Sequence, residues 1–140
     1  YYIKIVDQNF ISIDSENNII YTPTSDVKSQ IVKDFYKQEM MSTINRLSLT
    51  YMDNSYIDIS NITYQTRYTT SRHGSCNPKK RKINFNLNLV KYDPKFIEYV
   101  FLHEITHLTH PNHGPDFYEL FSKLCPNYKK LRKEFKKIYR

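Results

Sequence analysis

The organisation of this chain is decided by the stretch His103-Glu104-Ile105-Thr106-His107. Residues four apart on an α-helix lie on one face, so His103 and His107 can both turn an imidazole nitrogen toward one metal ion. Glu104 lies beside that face, where its carboxylate can act on the ion's outer ligand rather than bind the ion. A catalytic zinc has three protein ligands and an open position that holds water, whose pKa it lowers to roughly 7. The pattern therefore predicts a zinc ion, with Glu104 taking the proton of the attacking water.

His113 is the third candidate ligand, six residues beyond His107. It can reach the same ion only if the helix stops soon after His107 and the chain doubles back. Pro111-Asn112 and Gly114-Pro115 supply the break and the start of a new helix. His110 is instead expected to face solvent or to cap the C-terminus of the helix. We therefore expect one Zn²⁺ per chain, held by three histidines.

Two interpretations without catalysis compete with this one. In the first, the two histidines and the glutamate form a polar helix face that only keeps the chain soluble. The flanking sequence argues against it, because this is the most apolar helix candidate in the chain and buried His and Glu need partners. The apolar residues are Phe96, Ile97, Val100, Phe101, Leu102, Ile105 and Leu108. In the second, the zinc is structural, but structural sites are usually closed by four ligands and rich in cysteine.

Length and cysteine content bound the class of protein. The 140 residues suffice for one domain, residues 1–140, with a core of its own. Cys76 and Cys125 do not make a disulfide framework, so we expect a reducing cytoplasm. No apolar run approaches the ~20 residues of a membrane span, which predicts no membrane partner. The first residue is Tyr1 rather than Met, so we expect the native chain to begin upstream.

The net charge of +7 is concentrated in two short blocks. Residues 67–82 carry six basic side chains and no acidic one, and residues 126–140 carry seven basic and one acidic. Charge runs are most often solvated faces, but each block is also a possible site for an anionic partner such as a nucleotide or nucleic acid. The oligomeric state is left open by the sequence.

The N-terminal part is predicted to form a sheet and a helix that back the core. Alternation of apolar and polar residues predicts a small antiparallel meander over residues 1–25. Thr24-Ser25-Asp26 then offers an N-cap for a backing helix over about 26–47. The apolar positions at helical spacing are Val27, Ile31, Phe35, Met40, Ile44 and Leu47.

The catalytic core is expected over about residues 56–125. It is predicted to contain β-rich segments at 56–59 and 62–68, a turn at 74–78 and a strand at 83–89. Asp93-Pro94 supplies the N-cap and first residue of the motif helix, and a short helix follows from Pro115 to about Leu124. A last basic amphipathic helix, over about 126–140, carries Leu131, Phe135 and Ile138.

Four blocks of the sequence, in this order and at this spacing, resemble the YgjP-like metallopeptidase domain, which is related to the SprT-like and WLM proteases. The blocks are Arg72-His73-Gly74-Ser75-Cys76, then Ile83…Asn86…Leu89, then residues 99–108, then Asn112-His113…Phe117-Tyr118. The resemblance covers about residues 60–125, and the final helix follows as the family leads one to expect. It implies an α+β fold, a compact zincin-like domain. In that fold a small twisted, mainly antiparallel sheet packs on the motif helix, with backing and C-terminal helices and an edge strand along the active-site groove.

The resemblance also implies roles for individual residues. The implied zinc ligands are His103, His107 and His113, and the implied catalytic carboxylate is Glu104. The family's turn usually reads Arg-Trp-Gly-Ser-Cys, and His73 stands here in place of the Trp. If that side chain packs near the groove, the change alters the local surface and the substrate preference. The metzincins share the spacing of the third histidine, but they need a Gly at position 110 and a Met downstream, and every Met here lies upstream.

The first function that fits these residues is a zinc-dependent peptidase acting on a peptide or protein. Glu104 would carry the proton of the water to the leaving amine. The tetrahedral oxyanion needs a donor besides the ion, from a group that could equally be structural. The candidates are Arg72, His73 and Tyr118. An extended peptide could pair with the strand at 83–89 or with the one at 62–68.

Two other functions remain open. One is hydrolysis of a phosphoanhydride, such as a nucleotide, at the same metal, with the Arg67–Lys82 block holding phosphates. The lack of a Gly-rich phosphate loop lowers the standing of this hypothesis. The other is a non-enzymatic module in which zinc is structural and the basic tail binds nucleic acid. It would leave Glu104 idle, so the sequence favours peptide hydrolysis.

Overall fold

A computed structural model describes residues 2–6, 10–22 and 30–138 of the chain. Within these ranges the strands and the helices occur in separate groups along the sequence rather than in regular alternation. The predicted α+β class is therefore confirmed. The strands are β1 (Tyr2–Ile5), β2 (Ser12–Asp14), β3 (Ile19–Thr22), β4 (Thr63–Arg67), β5 (Gly74–Asn77) and β6 (Lys82–Asn86). The helices are α1 (Gln30–Tyr51), α2 (Pro94–Thr106), α3 (Pro115–Leu124) and α4 (Tyr128–Ile138), with a 3₁₀ helix at Leu87–Lys91. No helix in these described ranges is both long and apolar enough to cross a membrane.

The first sheet has the order β1-β3-β2 rather than that of the predicted meander. β2 and β3 pair antiparallel, but β1 pairs parallel to β3, so the predicted antiparallel pairing of β1 is wrong. The reason lies in β3, because it alone of the three strands buries side chains, those of Ile20 and Thr22. A strand that packs on the core is most stable in the centre, where both of its edges are hydrogen-bonded.

The second sheet has the order β4-β6-β5 and carries the central part of the core. β4 and β6 are parallel, and β5 and β6 are antiparallel. Each sheet therefore has one pair of each kind, so the pairing is mixed rather than mainly antiparallel. Side-chain alternation predicts which face of a strand is buried but not the direction of its partner, which is set by contacts distant in sequence.

Two segments around this sheet differ from their predictions. Residues 74–77, predicted as part of a turn, form β5. Gly74 is needed there for close approach, since a Cβ on it would lie 3.0 Å from the backbone oxygen of Asn84. Residues 56–59 are not a strand, although Ile57 and Ile59 are buried. The strand predicted over 83–89 ends at Asn86, whose side chain accepts a hydrogen bond from the amide of Asn88 and caps the 3₁₀ helix.

Helix α1 lies behind the second sheet as predicted. It buries Val32, Tyr36, Met40, Ile44 and Leu47, at intervals of three or four residues. The proposed N-cap at 24–26 lies outside the described residues. The helix continues past the predicted end to Tyr51, whose hydroxyl donates to the carboxylate of Glu98 on α2 at 2.5 Å.

Helix α2 is the centre of the core. It begins at Pro94, with the Asp93 side chain accepting from the amide of Lys95 as an N-cap, and it ends at Thr106. The ring of Phe101 stacks on Phe85 of β6, with 6.1 Å between centroids. The predicted burial of the apolar residues before the motif is confirmed for Phe96, Ile97, Val100, Phe101, Leu102 and Ile105.

Helices α3 and α4 close the other side of α2. α3 has the predicted bounds, Pro115 to Leu124. α4 buries Leu131 and Phe135 as predicted, but Ile138, in its last turn, is exposed. Phe135 contacts Phe96, with ring centroids 5.0 Å apart, so the apolar face of the basic helix packs on the core.

Candidate metal centre

Three histidine side chains meet at the C-terminal end of α2. His103 and His107 lie one turn apart on the helix, and His113 lies on the segment that leads to α3. Their candidate ligand nitrogens all lie within 4.8 Å of one another. The Nε2 atoms of His103 and His113 are 3.2 Å apart. Two nitrogens bound to one tetrahedral zinc at 2.0–2.1 Å would be separated by about 3.3 Å, so the spacing of His103 and His113 fits such an ion and His107 lies within reach of it.

The chain doubles back after α2, as the position of His113 requires. The amides of Leu108 and Thr109 donate to carbonyls three residues earlier, which tightens the last turn. Gly114 then caps α3 in an extended conformation, and Pro115 occupies its first turn. The two prolines and the glycine therefore turn His113 back toward the two histidines on α2.

His107 is held in one tautomer by the backbone. Its Nδ1 lies 3.0 Å from the carbonyl oxygen of His110. A carbonyl only accepts, so Nδ1 carries the hydrogen and Nε2 keeps its lone pair for a metal. The side chain of His110 is outside the cluster of three, and sequence reasoning missed the role of its carbonyl. Any residue type supplies a carbonyl, so no sequence signal marks it.

His103 is held in a similar way by Glu104. Its Nδ1 lies 3.1 Å from Glu104 Oε1, so Nδ1–H donates to the carboxylate and Nε2 faces the other histidines. The Glu104 side chain is buried, and the residue is only 5% exposed. A buried carboxylate next to an open cleft is placed to act on water rather than to stay hydrated.

Phe117 of α3 supports all three imidazole rings. Its ring centroid lies 5.2 Å from that of His103, 4.6 Å from that of His107 and 4.8 Å from that of His113. Phe117 itself is fully buried. The sequence places it on the short helix predicted from Pro115, and nothing in that pattern indicates that it contacts the histidines.

Burial lowers the pKa of His113 below its usual value, and the nearby His107 and His103 lower it further. Burial also lowers the pKa of His73, with a smaller effect from His103. Both shifts favour neutral imidazoles near pH 7, and the neutral form is the one that binds a metal. His113 is the most exposed of the three clustered histidines.

A cleft of about 220 Å³ opens over Glu104 and His103. One wall is α2, and the other is the segment Ser71–Gly74. Of the three predicted oxyanion donors, Arg72 and His73 line this cleft and Tyr118 does not. The ring of Tyr118 instead stacks on Tyr128, with centroids 5.9 Å apart, and lies 6.4 Å from the ring of His113.

His73, which stands where the resembled family has Trp, packs on the last helix. Its ring meets Phe135 edge to face, with centroids 4.6 Å apart. The residue is half-buried, so its ring is shared between the cleft wall and the core. His73, the residue at which this chain departs from the family pattern, therefore lies in the wall of the cleft over Glu104.

Asn86 fixes the backbone of the cleft wall. It is fully buried, and its Nδ2 donates to the carbonyls of Thr69 at 2.7 Å and Arg72 at 2.8 Å. Its own amide donates to the carbonyl of His73 at 2.9 Å. Sequence reasoning placed Asn86 in the strand predicted over 83–89 and missed this role. A polar residue in a predicted strand is equally consistent with solvent exposure, so the pattern alone could not find it.

Comparisons with known proteins identify the family and the fold. The family model described as "YgjP-like, metallopeptidase domain" matches residues 1–138. The crystal structure of the metallopeptidase zymogen jannalysin of Methanocaldococcus jannaschii is similar in fold, with a TM-score of 0.54, 16% identity, and coverage of 70% of this chain and 94% of that chain. The zymogen of abylysin of Pyrococcus abyssi gives a TM-score of 0.55 and 14% identity, over 72% of this chain and 96% of that chain. No protein of curated function matches the sequence significantly.

Proposed function

Because the chain belongs to the YgjP-like family of metallopeptidase domains, we propose that it is a zinc-dependent peptidase with Glu104 as its general base and acid. The observation that carries the proposal is the convergence of three histidine nitrogens beside a buried carboxylate. The proposed zinc ligands are His103, His107 and His113. Family membership implies a metal ion, and the choice of zinc rests on the all-nitrogen ligand set with one position left for water.

A zinc ion in this site would supply Lewis acidity and lower the pKa of water to roughly 7. Glu104 accepts the proton of the attacking water and delivers it to the amine that leaves. The Nδ1–H of His103 donates to Oε1 of Glu104 and so orients the carboxylate. Since Glu104 is buried against β5 and α2, its carboxylate has little freedom to turn away from the cleft.

We propose Arg72 as the donor to the oxyanion. It is exposed and lines the cleft beside Glu104 and His103, and its guanidinium carries five N–H donors. His73 lines the same cleft, but part of its ring packs on Phe135, which favours a structural role. Tyr118 lies on the far side of His113 and is the weakest of the three candidates.

The peptide is proposed to lie along β5. The prediction that it pairs with the strand at 83–89 is wrong, because β6 is hydrogen-bonded on both edges. β4, from the segment at 62–68, and β5 are the two edges of this sheet, and only β5 contributes to the cleft, through Gly74. An extended chain added to β5 would run beside the cleft that holds Glu104, because Gly74 of β5 lies against the Glu104 side chain.

We further propose that residues 1–140 act as one domain, since the family model spans nearly all of them. We place the enzyme in a reducing cytoplasm, because its cysteines, Cys76 and Cys125, are free thiols. A nucleotide substrate remains the alternative for the same site, and the experiment separates the two.

The test is to incubate the purified protein with a peptide library and, separately, with nucleoside triphosphates. Peptide cleavage that is lost with a chelator and restored by zinc would support the proposal. Glu104→Gln is the control, because it should retain the metal and the fold while kcat falls at least about a hundredfold. Hydrolysis of triphosphates without any peptide cleavage would overturn peptidase function, and undiminished turnover in Glu104→Gln would remove Glu104 from the mechanism.

A further inference from the structure

A second cleft lies at the end of the second sheet, where β4 and β6 finish and β5 begins. Its volume is about 320 Å³, larger than that of the cleft over Glu104. Its polar lining includes Arg67, Ser71, Arg72, Ser75 and Asn84. We call it the sheet-end cleft. In the part of the chain that the structure describes, no acidic residue lines it.

The sheet-end cleft adjoins the cleft over Glu104. Ser71, Arg72 and Gly74 line both of them. The two clefts are therefore neighbours that border the same segment, the one that Asn86 holds in place. A peptide that extends along β5 from Glu104 would bring a neighbouring side chain to the sheet-end cleft.

The two arginines of this cleft are available to a ligand. Among the residues that the structure describes, the side chains of Arg67 and Arg72 make no salt bridge or hydrogen bond, and both residues are exposed. Arg81, in the same basic block, differs because its guanidinium donates to the carbonyls of Asp58 and Ser60. A guanidinium offers a planar fork of donors that matches a carboxylate.

We propose that the sheet-end cleft binds a carboxylate of the substrate, so that the enzyme prefers peptides with an acidic residue close to the scissile bond. This inference rests on the proposed peptidase function and adds the substrate class. Arg67 binds the carboxylate, and the hydroxyls of Ser71 and Ser75 and the amide of Asn84 supply further donors, while Arg72 borders both clefts and is kept for the oxyanion.

A peptide carboxylate fits the sheet-end cleft better than a nucleic acid does. Lys79 and Lys80 lie on the turn between β5 and β6, at the opposite end of these strands, so the basic block does not form a continuous strip for a phosphate backbone. Among the described residues, Phe85 is the one aromatic residue that lines the cleft, and it is fully buried and cannot stack on a base.

The test measures binding in a Glu104→Gln background, so that peptides are not consumed. A short fluorescein-labelled, alanine-rich peptide carries one Glu at each position in turn, and matched peptides carry Gln at the same positions. Fluorescence anisotropy at low salt should show that one Glu position binds about tenfold more tightly than its Gln match. Arg67→Gln should reduce that ratio to near one. Arg67 is the informative choice because it lines only the sheet-end cleft, whereas Arg72 also borders Glu104.

Lys79→Gln is the matched control, since it removes the same charge from the other end of the strands and should leave the ratio unchanged. Charge reversal by Arg67→Glu should favour a peptide with Lys at the same position. Equal binding of Glu and Gln peptides at every position would overturn the proposal, as would an equal loss in Lys79→Gln and Arg67→Gln. Stronger Arg67-dependent binding of oligodeoxythymidine or a nucleoside triphosphate would assign the cleft to phosphate instead.

The two proposals fail separately. A Glu preference in binding, without cleavage of any peptide by the wild-type protein, would retain the cleft and reject the peptidase. Cleavage of Glu and Gln peptides with equal kcat/KM, together with equal binding, would retain the peptidase and reject the cleft.

Discussion

At the scale of single residues, the site depends on which ring nitrogen of each histidine carries the hydrogen, and the residue type does not specify this. His107 presents Nε2 because its Nδ1 donates to the carbonyl of His110. His103 presents Nε2 because its Nδ1 donates to Glu104. A substitution of the His110 side chain should therefore leave His107 oriented, because the carbonyl that accepts from His107 belongs to the backbone.

Metal binding should follow this distinction. His107→Ala and His113→Ala should each lose most of the bound zinc, because two nitrogens and water do not replace a three-histidine site. His110→Ala is the matched control, since it keeps the carbonyl that orients His107 and should keep full occupancy. Metal analysis of protein purified without chelator measures all three. Full zinc occupancy in His113→Ala would show that another residue is the third ligand.

Substitution by alanine should be harmful at one of the two glycines of the chain and neutral at the other. A Cβ at Gly74 would lie 3.0 Å from the backbone oxygen of Asn84 and 3.2 Å from Cγ of Glu104, whereas a Cβ at Gly114 would meet nothing within 4 Å. We expect Gly74→Ala to lower the free energy of unfolding by about 1–3 kcal/mol and to reduce kcat by displacing Glu104. Gly114→Ala should change neither quantity appreciably. Urea denaturation and turnover assays test the pair, and normal values for Gly74→Ala would contradict the tight packing.

At the scale of elements, β5 and the segment before it form the wall of the groove, and Asn86 connects that wall to β6. Replacing Asn86 with Ala would leave the partly buried carbonyls of Thr69 and Arg72 without their donor. The free energy of unfolding should fall by about 2–3 kcal/mol, and kcat/KM should fall at least about tenfold because Arg72 and His73 move.

Asn88→Ala serves as the control for that change. Its side-chain oxygen is buried and has no hydrogen-bond partner in the described part of the chain. Removing it should leave the free energy of unfolding nearly unchanged. Similar losses in the two variants, measured by denaturation at equal temperature, would mean that the network around Asn86 is not what holds the wall.

The two basic blocks should also differ in their importance. Helix α4 turns Tyr128, Leu131 and Phe135 inward, which leaves its lysines exposed. The lysines to be neutralised together are Lys129, Lys130, Lys133 and Lys137. That change should alter kcat/KM by less than about threefold, or ~0.7 kcal/mol, whereas Arg72→Ala should cost at least about tenfold, or ~1.4 kcal/mol. The reverse order in a peptide assay would indicate that α4 recruits an anionic substrate.

At the scale of the whole molecule, the site could be predicted from the sequence better than the sheets could. The register of His103, Glu104 and His107 follows from helical geometry alone, and Pro111 and Gly114 mark the reversal that returns His113. The partners of β1 and β5 depend on contacts many residues away, for which alternation carries no information. The hydrogen-bonding role of Asn86 could not be predicted for the same reason, because its partners lie 14 and 17 residues earlier.

The two cysteines should report on the integrity of the whole fold. Burial raises the pKa of Cys76 to about 12 and that of Cys125 to about 11. At pH 8 the native protein therefore holds very little thiolate, and iodoacetamide should react much more slowly than with the protein unfolded in guanidinium chloride. The rate should rise as pH approaches these values while the fold persists. Equal rates in the native and unfolded states at pH 8 would contradict the burial of Cys125 and the partial burial of Cys76.

The contact of Phe117 with all three histidine rings has a consequence for genetics. In a library of random substitutions selected for loss of activity, changes at Phe117 should be recovered as readily as changes at the histidines themselves. A loosened ring there would misplace every imidazole at once, although Phe117 offers no atom to metal, water or substrate. A screen that recovers Phe117 would therefore identify a residue that supports the histidines without touching the reacting groups. Some of its inactive variants would still be folded proteins.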